Sequence, residues 1–331
     1  MGDSSRRPST EELAAGLASF LGDALGRPGV QVEGLGRLSG GASRETFAAD
    51  LVGPDGDRDE LIVQRVRRGA LSESFSMEGE ADLLRAAAGA GVPVAPVLAA
   101  TDDPAVFGTP CVVMERLDGE TIARKILRDD AYAEARSVLV GQAAAALAGI
   151  HAVPVATATS LRSQEQIGQL RGLLDHLGQP HPAFELGFRW LAAHRPEPGP
   201  ESVVHGDFRL GNLIVGPEGL RAVLDWELAH LGDPMEDLGW FCVKAWRFGA
   251  APPVAGLGEI DELCAAYEAA GGAAVDRGAL HWWMVLGTLR WGIICILQAE
   301  THRSGMSRSV ELAAIGRRVC ETELDLLELL P

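Results

Sequence analysis

The sequence predicts an α+β chain in two lobes, a small strand-rich lobe followed by a larger, mainly helical one. From Val30 to Leu117 the chain runs in short β-rich stretches separated by turn clusters such as Gly53-Pro54-Asp55-Gly56-Asp57. From Thr121 to Leu330 the apolar residues recur mostly at helical spacing. The 331 residues, 47% hydrophobic and 23% charged, supply a sizeable core without disulfide staples.

Ser9-Thr10-Glu11-Glu12, followed by Leu13, Leu17, Phe20 and Leu21, combines an N-cap signal with helical spacing, so residues 1–29 read as an N-terminal helical segment. Residues 30–117 form the small lobe. Its strand candidates are Gln31 to Leu38, Glu45 to Val52, Glu60 to Val66 and Cys111 to Arg116, with a helix from Ser76 to Ala88 before the last. Residues 118–331 form the helical lobe, broken by a Pro-rich stretch from Arg195 to Pro200 and by short apolar runs around Val203 and Val223. The most lipid-like stretch, Trp283 to Ala299, contains Arg290 and Gln298 and reads as a buried helix rather than a span.

Lys and Arg number 29 against 46 Asp and Glu, a net charge of −17 that repels phosphate backbones and anionic membranes. Nucleic acid and membrane are therefore not expected partners. Cys111, Cys242, Cys264, Cys295 and Cys320 are scattered, form no Cys-x-x-Cys pair, and read as buried thiols of a reducing cytoplasm.

The most informative stretch is Val203-Val204-His205-Gly206-Asp207-Phe208-Arg209-Leu210-Gly211-Asn212-Leu213-Ile214-Val215, with Leu224-Asp225-Trp226-Glu227 following. Phosphoryl transfer to an alcohol needs one carboxylate to accept the hydroxyl proton, and an amide plus a second carboxylate to hold magnesium against phosphates. Asp207, Asn212 and Asp225 supply these groups in that order. On this His-Gly-Asp-x-x-x-x-Asn pattern, residues 30 to 325 resemble the aminoglycoside phosphotransferase and choline kinase-like family. The likeness is greater to the subgroup related to the kinase-like domain that precedes an acyl-CoA dehydrogenase in some eukaryotic proteins. The resemblance implies a protein-kinase-like fold, with a small antiparallel-sheet N-lobe and a large mainly helical C-lobe. It also implies ATP and Mg2+ as cofactors, Asp207 as base, Asn212 and Asp225 as metal ligands, and a supporting role for His205. Taken singly, His205 and Asp207 also suit a strand-end turn with a capping carboxylate.

Ser39-Gly40-Gly41-Ala42-Ser43 lies between two strand candidates, where small residues let backbone N–H groups approach an anion. A Gly-Gly hairpin is the plainer explanation, but the position matches the family's nucleotide-covering loop. The family next requires a strand cation paired with a helix Glu. The strand Leu61-Ile62-Val63-Gln64-Arg65-Val66 departs from the lysine pattern: register puts Gln64 at that place, while Arg65 carries the charge on the other face. Arg65 paired with Glu80 is the favoured assignment, against a solvated Arg65. By the same resemblance, Met114, Glu115 and Leu117 form the hinge, where backbone groups near Glu115 and Leu117 read adenine between Met114 and Ile214. Asp237, at the head of a helix after Gly232-Asp233-Pro234, reads as a cap or a support for the catalytic loop.

No Ala-Pro-Glu motif or activation segment fits between Asp225 and this helix, so a protein acceptor is not expected. The expected activity is transfer of the γ-phosphate to a hydroxyl of a small molecule. The stretch Asp276 to Arg308 carries Arg277, Arg290, Arg303 and Arg308 against Asp276 and Glu300, with Trp282, Trp283 and Trp291. If these line the acceptor pocket, they suit a hydroxyacyl or other anionic, largely apolar alcohol; if not, the tryptophans are core and the arginines solvated. An aminoglycoside or macrolide kinase and a catalytically weak nucleotide-binding module are the alternatives.

Overall fold

A computed structural model describes residues 8–38, 44–67 and 76–331. The loop Ser39, Gly40, Gly41, Ala42 and Ser43 lies outside them. Helix α1 (Thr10–Leu25) starts at Ser9, whose hydroxyl accepts the Glu12 N–H while the Glu12 carboxylate accepts the Ser9 N–H, a reciprocal capping box. Its stripe Leu13, Leu17 and Leu21 is buried together with Phe47, Leu51, Leu61, Val63 and Val113. The N-terminal helix thus shares one core with the strands behind it.

Those strands are β1 (Gln31–Arg37), β2 (Arg44–Val52) and β3 (Arg58–Val66), then, after helix α2 (Met77–Gly89), β4 (Val97–Thr101) and, after the short α3 (Pro104–Phe107), β5 (Cys111–Glu115). They pair antiparallel in the order β1-β2-β3-β5-β4. The sheet has two apolar faces. Leu61 and Val63 of β3, with Cys111 and Val113 of β5, face α1, whereas Ile62 and Val66, with Val112 and Met114, face α2 and the second lobe. Strand β4 was not expected from its sequence: Val97-Leu98-Ala99-Ala100-Thr101 has little β-branched character, and its strand conformation comes from pairing with β5.

The second lobe contains α4 (Ala123–Arg128), α5 (Ala133–His151), α6 (Gln166–Leu177), α7 (Pro182–Ala193), β6 (Ser202–Val204), β7 (Leu213–Gly216), β8 (Gly219–Val223) and β9 (His230–Gly232). Helices α8 (Met235–Phe241), α9 (Ile260–Ala269), α10 (Arg277–Arg303), α11 (Val310–Gly316) and α12 (Val319–Leu329) complete it. β6 pairs with β9 and β7 with β8. The alanine-rich face of α5 lets the helix approach closely the core residues Phe208, Leu213, Trp226 and Tyr267. Helix α10 is long and apolar enough by composition to cross a bilayer, but 67% of its apolar window is buried inside the fold, as the sequence reading expected. Four cysteines are buried; Cys320 is exposed on α12, against expectation, because its position faces away from the α7 and α10 packing surface.

Candidate active site

The catalytic-loop stretch is held by its backbone. β6 ends at Val204, and the next two N–H groups, of His205 and Gly206, donate to Asp237 Oδ2 at 2.7 Å and Oδ1 at 2.9 Å. Asp237 is fully buried, and His151 Nε2 stands 3.1 Å from its Oδ2. Burial alone would raise this carboxyl; the bond to His151 and the charge environment hold it below the usual carboxylate range. Asp237 therefore supports the loop. Gly206 has φ 77°, and a Cβ there would lie 2.4 Å from the Leu228 carbonyl oxygen, so only glycine fits between β6 and the chain entering β9.

His205 Nδ1 accepts the Asp207 N–H at 3.2 Å, so its Nε2 donates to the Leu224 carbonyl at 2.9 Å. Burial lowers the His205 pKa, outweighing the Asp237 and Asp207 carboxylates, and the ring is a neutral strut. The Asp207 carboxylate accepts three side-chain donors: Asn212 Nδ2 at 2.7 Å, Trp240 Nε1 at 2.8 Å and Arg209 Nε at 3.1 Å. Asn212 Nδ2 also reaches the Asp207 carbonyl at 2.9 Å.

Asp225 follows β8 and is drawn to this loop because Leu224 is gripped on both sides. Its N–H donates to the Asn212 carbonyl at 2.8 Å and its carbonyl accepts His205. Asp225 has left-handed backbone, φ 64° and ψ 63°, a conformation that Asp tolerates better than most residues. Its carboxyl is pushed up to about 7, first by burial and then by Glu227 and Asp207, with Arg44 and Arg209 pulling the other way. Asp225 keeps solvent-accessible surface and, raised by two neighbouring acids, is a hard oxygen donor short of positive charge, which fits magnesium. Among the described residues no three His, Cys, Asp or Glu side chains cluster to hold an ion alone. Magnesium normally takes one or two protein carboxylates and completes its shell with water and phosphate, so Asp225 with the Asn212 amide oxygen fits that pattern.

The sheet face corrects one expectation. Arg65 does not pair with Glu80. Its Nε and Nη2 bond Glu45 Oε2 at 2.8 and 2.7 Å, its Nη1 donates to the Phe107 carbonyl at 2.8 Å, and the guanidinium lies 4.8 and 5.2 Å from the Phe47 and Phe107 rings. With Leu61 and Val63 it points to the α1 face, away from the cleft. Glu80 is instead buried against Arg44 of β2: Nη1 donates to Oε1 at 2.6 Å, and Nη2 lies 2.5 Å from Oε2 without hydrogen-bond alignment. Arg44 Nε also approaches Glu227 Oε2 at 3.2 Å, tying the sheet to the segment after Asp225.

At the hinge, the Glu115 N–H is committed to the Pro96 carbonyl at 2.9 Å, so this N–H is not available to a ligand. No hydrogen bond among the described residues engages the Leu117 backbone. The chain then closes on β7: Glu120 exchanges two backbone hydrogen bonds with Val215, and a Cβ on Gly119 would lie 2.4 Å from Ile214 Cγ2. Met114 and Ile214 therefore flank the hinge from the two lobes.

Residues 34–281 match the phosphotransferase enzyme family. The chain belongs to that family. The mouse (Mus musculus) acyl-CoA dehydrogenase family member 10 is 31% identical over 277 residues, 79% of this chain and 25% of that protein. The chain spans about a quarter of the length of the curated relatives it matches. Among solved structures, a candidate aminoglycoside phosphotransferase from Ralstonia eutropha superimposes with a TM-score of 0.73 at 23% identity, covering 95% of this chain and 97% of the other. A thermostable mutant of an aminoglycoside phosphotransferase, in ternary complex with AMP-PNP and hygromycin B, gives 0.58 at 16% identity, covering 94% and 99%. These superpositions establish the protein-kinase-like fold of this phosphotransferase.

Beside Asp207 the phosphotransferase carries an aromatic cluster. Trp240 lies 5.2 Å from Trp246, and Trp246 lies 4.7 Å from Trp291, between ring centroids. Arg209 sits over Trp246 at 5.2 Å, Arg290 over Trp240 at 4.7 Å and Arg318 by Trp291 at 5.9 Å. Of the arginines expected at the acceptor side, only Arg290 is here, and Glu236 Oε1 lies 3.3 Å from its Nη1. Arg277 and Arg303 form exposed ion pairs with Asp261 and Glu300, Arg308 is exposed, and Trp282 is core, its indole donating to the Leu191 carbonyl. A cavity of about 290 Å³, lined in part by Glu197, Glu201, His230, Asp233, Glu236 and Trp283, runs beside β9 from Gly232 to His230. Arg44, Arg209, Trp240 and Glu227 were not singled out from sequence. Arg209 carried a signal, two residues after the Asp; Trp240 carried none.

Proposed function

We propose that this phosphotransferase moves the γ-phosphate of ATP to a hydroxyl of a small molecule in a magnesium-dependent reaction. The observation that carries the reading is the Asp207 carboxylate, aimed by Asn212, Trp240 and Arg209 and standing on a backbone clamped by Asp237. A non-catalytic binder has no use for a carboxylate oriented by three donors. Bound Mg·ATP supplies the transferable phosphoryl group and neutralises its charge. Asn212 and Asp225 would hold the metal, and the Leu117 backbone, between Met114 and Ile214, would read the base. Asp207 orients the acceptor hydroxyl and takes its proton as the oxygen–phosphorus bond forms and ADP departs. Asn212, bonded to Asp207 and adjacent to Asp225, keeps base and metal ligand in register.

The acceptor we infer is an anionic, largely apolar alcohol such as a hydroxyacyl compound. Trp291, half-buried, offers apolar surface backed by the buried Trp240 and Trp246, and Arg209 and Arg318, paired with Asp207 and Glu321, lie over this cluster. A polycationic antibiotic is favoured by a single feature, the acid-lined cavity. Release of ADP from Mg·ATP is to be measured across hydroxylated acyl compounds, macrolides and kanamycin-like polyamines. Turnover of anionic alcohols is expected; turnover of polyamines alone would overturn the acceptor class, and no ADP release with any alcohol would overturn the enzyme reading.

A further inference from the structure

We propose that Arg44, on the second strand, is the cation that meets the nucleotide's phosphates, in place of a residue on the third strand. The inference rests on the nucleotide-dependent reading above and deepens it. Strand parity supplies the first argument. Arg44 is opposite Val66 and Thr46 is opposite Gln64, and directly paired residues project from the same face of an antiparallel sheet. Arg44, Thr46, Gln64 and Val66 therefore share the face whose apolar members, Ile62 and Val66, pack toward α2 and the second lobe. Gln64 occupies the lysine's register on that face but carries no charge; Arg65 carries charge but faces α1.

Anchoring supplies the second argument. Arg44 is buried yet keeps its charge, because Glu80 from α2 and Glu227 from the second lobe hold it from two sides. A guanidinium has five N–H donors. Its three contacts with these carboxylates leave an N–H on each Nη atom, on opposite edges of the guanidinium, each able to meet a phosphate oxygen singly. Because both carboxylates fix the side chain beforehand, little rotamer freedom is lost when an anion arrives. Arg44 is also near enough to Asp225 for its charge to act there, which puts it on the metal side of the cleft.

Removing the cation has a consequence that scales with ligand charge. Without Arg44 the phosphates would lose a positive charge that scales in effect with their own, so affinity should fall more for ATP than for ADP and not at all for adenosine. A general loss of folding would instead weaken all three alike. Equilibrium binding of ATP, ADP and adenosine in the presence of magnesium is to be compared for wild type, Arg44→Gln, Arg44→Lys and Arg65→Gln. We expect Arg44→Gln to weaken ATP by about 10- to 100-fold, ADP by less, and adenosine not measurably. Arg44→Lys, which keeps the charge but cannot hold Glu80, Glu227 and phosphate at once with a planar group, should fall between Arg44→Gln and wild type. Arg65→Gln should retain the wild-type ratio of ATP to adenosine affinity. Equal weakening of adenosine and ATP in Arg44→Gln, or the graded loss appearing in Arg65→Gln instead, would overturn the assignment while leaving the nucleotide reading intact. A wild-type protein that binds neither ATP nor ADP would overturn the nucleotide reading and this inference with it.

Discussion

The catalytic loop and the sheet face above it solve the same problem, holding a charged group still, by different means. In the loop, His205, Gly206, Asp207 and Asn212 come from one run of eight residues, and the clamp on it, Asp237, lies only 31 residues from Gly206. The contacts within that run are set by local chain geometry: a left-handed glycine, an imidazole facing the N–H two residues on, an amide reaching back five. On the sheet face the cation and its carboxylate, Arg44 and Glu80, come from different elements, and Glu227 from the other lobe. The loop shows that chemistry written into consecutive residues has a readable spacing. The sheet shows that which of two neighbouring arginines serves the cleft depends on the face each strand position presents.

The contrast can be sharpened by substitution. Asp207→Asn removes the loop's base but keeps its size, so nucleotide affinity should stay near wild type while kcat falls about 10²- to 10⁴-fold, the range for loss of a general base; single-turnover rates beside binding isotherms check this. Asp237→Ala leaves two buried N–H groups and His151 without their acceptor and should cost about 3–5 kcal/mol, measured by urea unfolding. If the loop were merely draped over its support, the loss would be slight. Asp225→Ala should abolish magnesium-dependent nucleotide binding and turnover together, with Asn212→Ala milder, because an amide offers the ion only a dipole; magnesium titrations followed by tryptophan fluorescence report it.

On the outer face of the sheet, Arg65→Ala should lower stability by about 1–3 kcal/mol through loss of the Glu45 pair and the two ring contacts, with nucleotide KM unchanged. A raised KM would return Arg65 to the cleft. The smallest effect concerns His230, whose Nδ1 and Nε2 face the Leu228 carbonyl and the Glu236 carboxylate at 2.9 and 3.1 Å. Burial works against its charge, but Glu236 and the carbonyl prevail and raise its pKa above the ordinary 6.5. A histidine raised on folding stabilises fully below its unfolded pKa and loses that contribution as pH rises through the folded one. The Tm advantage of wild type over His230→Gln should therefore be greatest below pH 6.5 and shrink above it; a pH-independent difference would show that packing, not charge, is at stake.

Sequence alone determined the two-lobed architecture, the opening capping box at Ser9 and Glu12, and four of the five sheet strands to within two residues, and it singled out Asp207, Asn212 and Asp225. These are features of local spacing: period, cap chemistry and a contiguous loop. The tertiary structure decided the rest. Strand β4 exists by pairing with β5, and Trp240 reaches Asp207 from a helix 33 residues on. The Glu115 N–H is spent within the sheet, and the cation that meets Glu80 is Arg44 rather than Arg65. Adjacent strand residues differ by half a turn about the chain, so a charge shifted by one position changes face. Only the register of β2 against β3 and the seating of α2 against both determine which charge Glu80 meets.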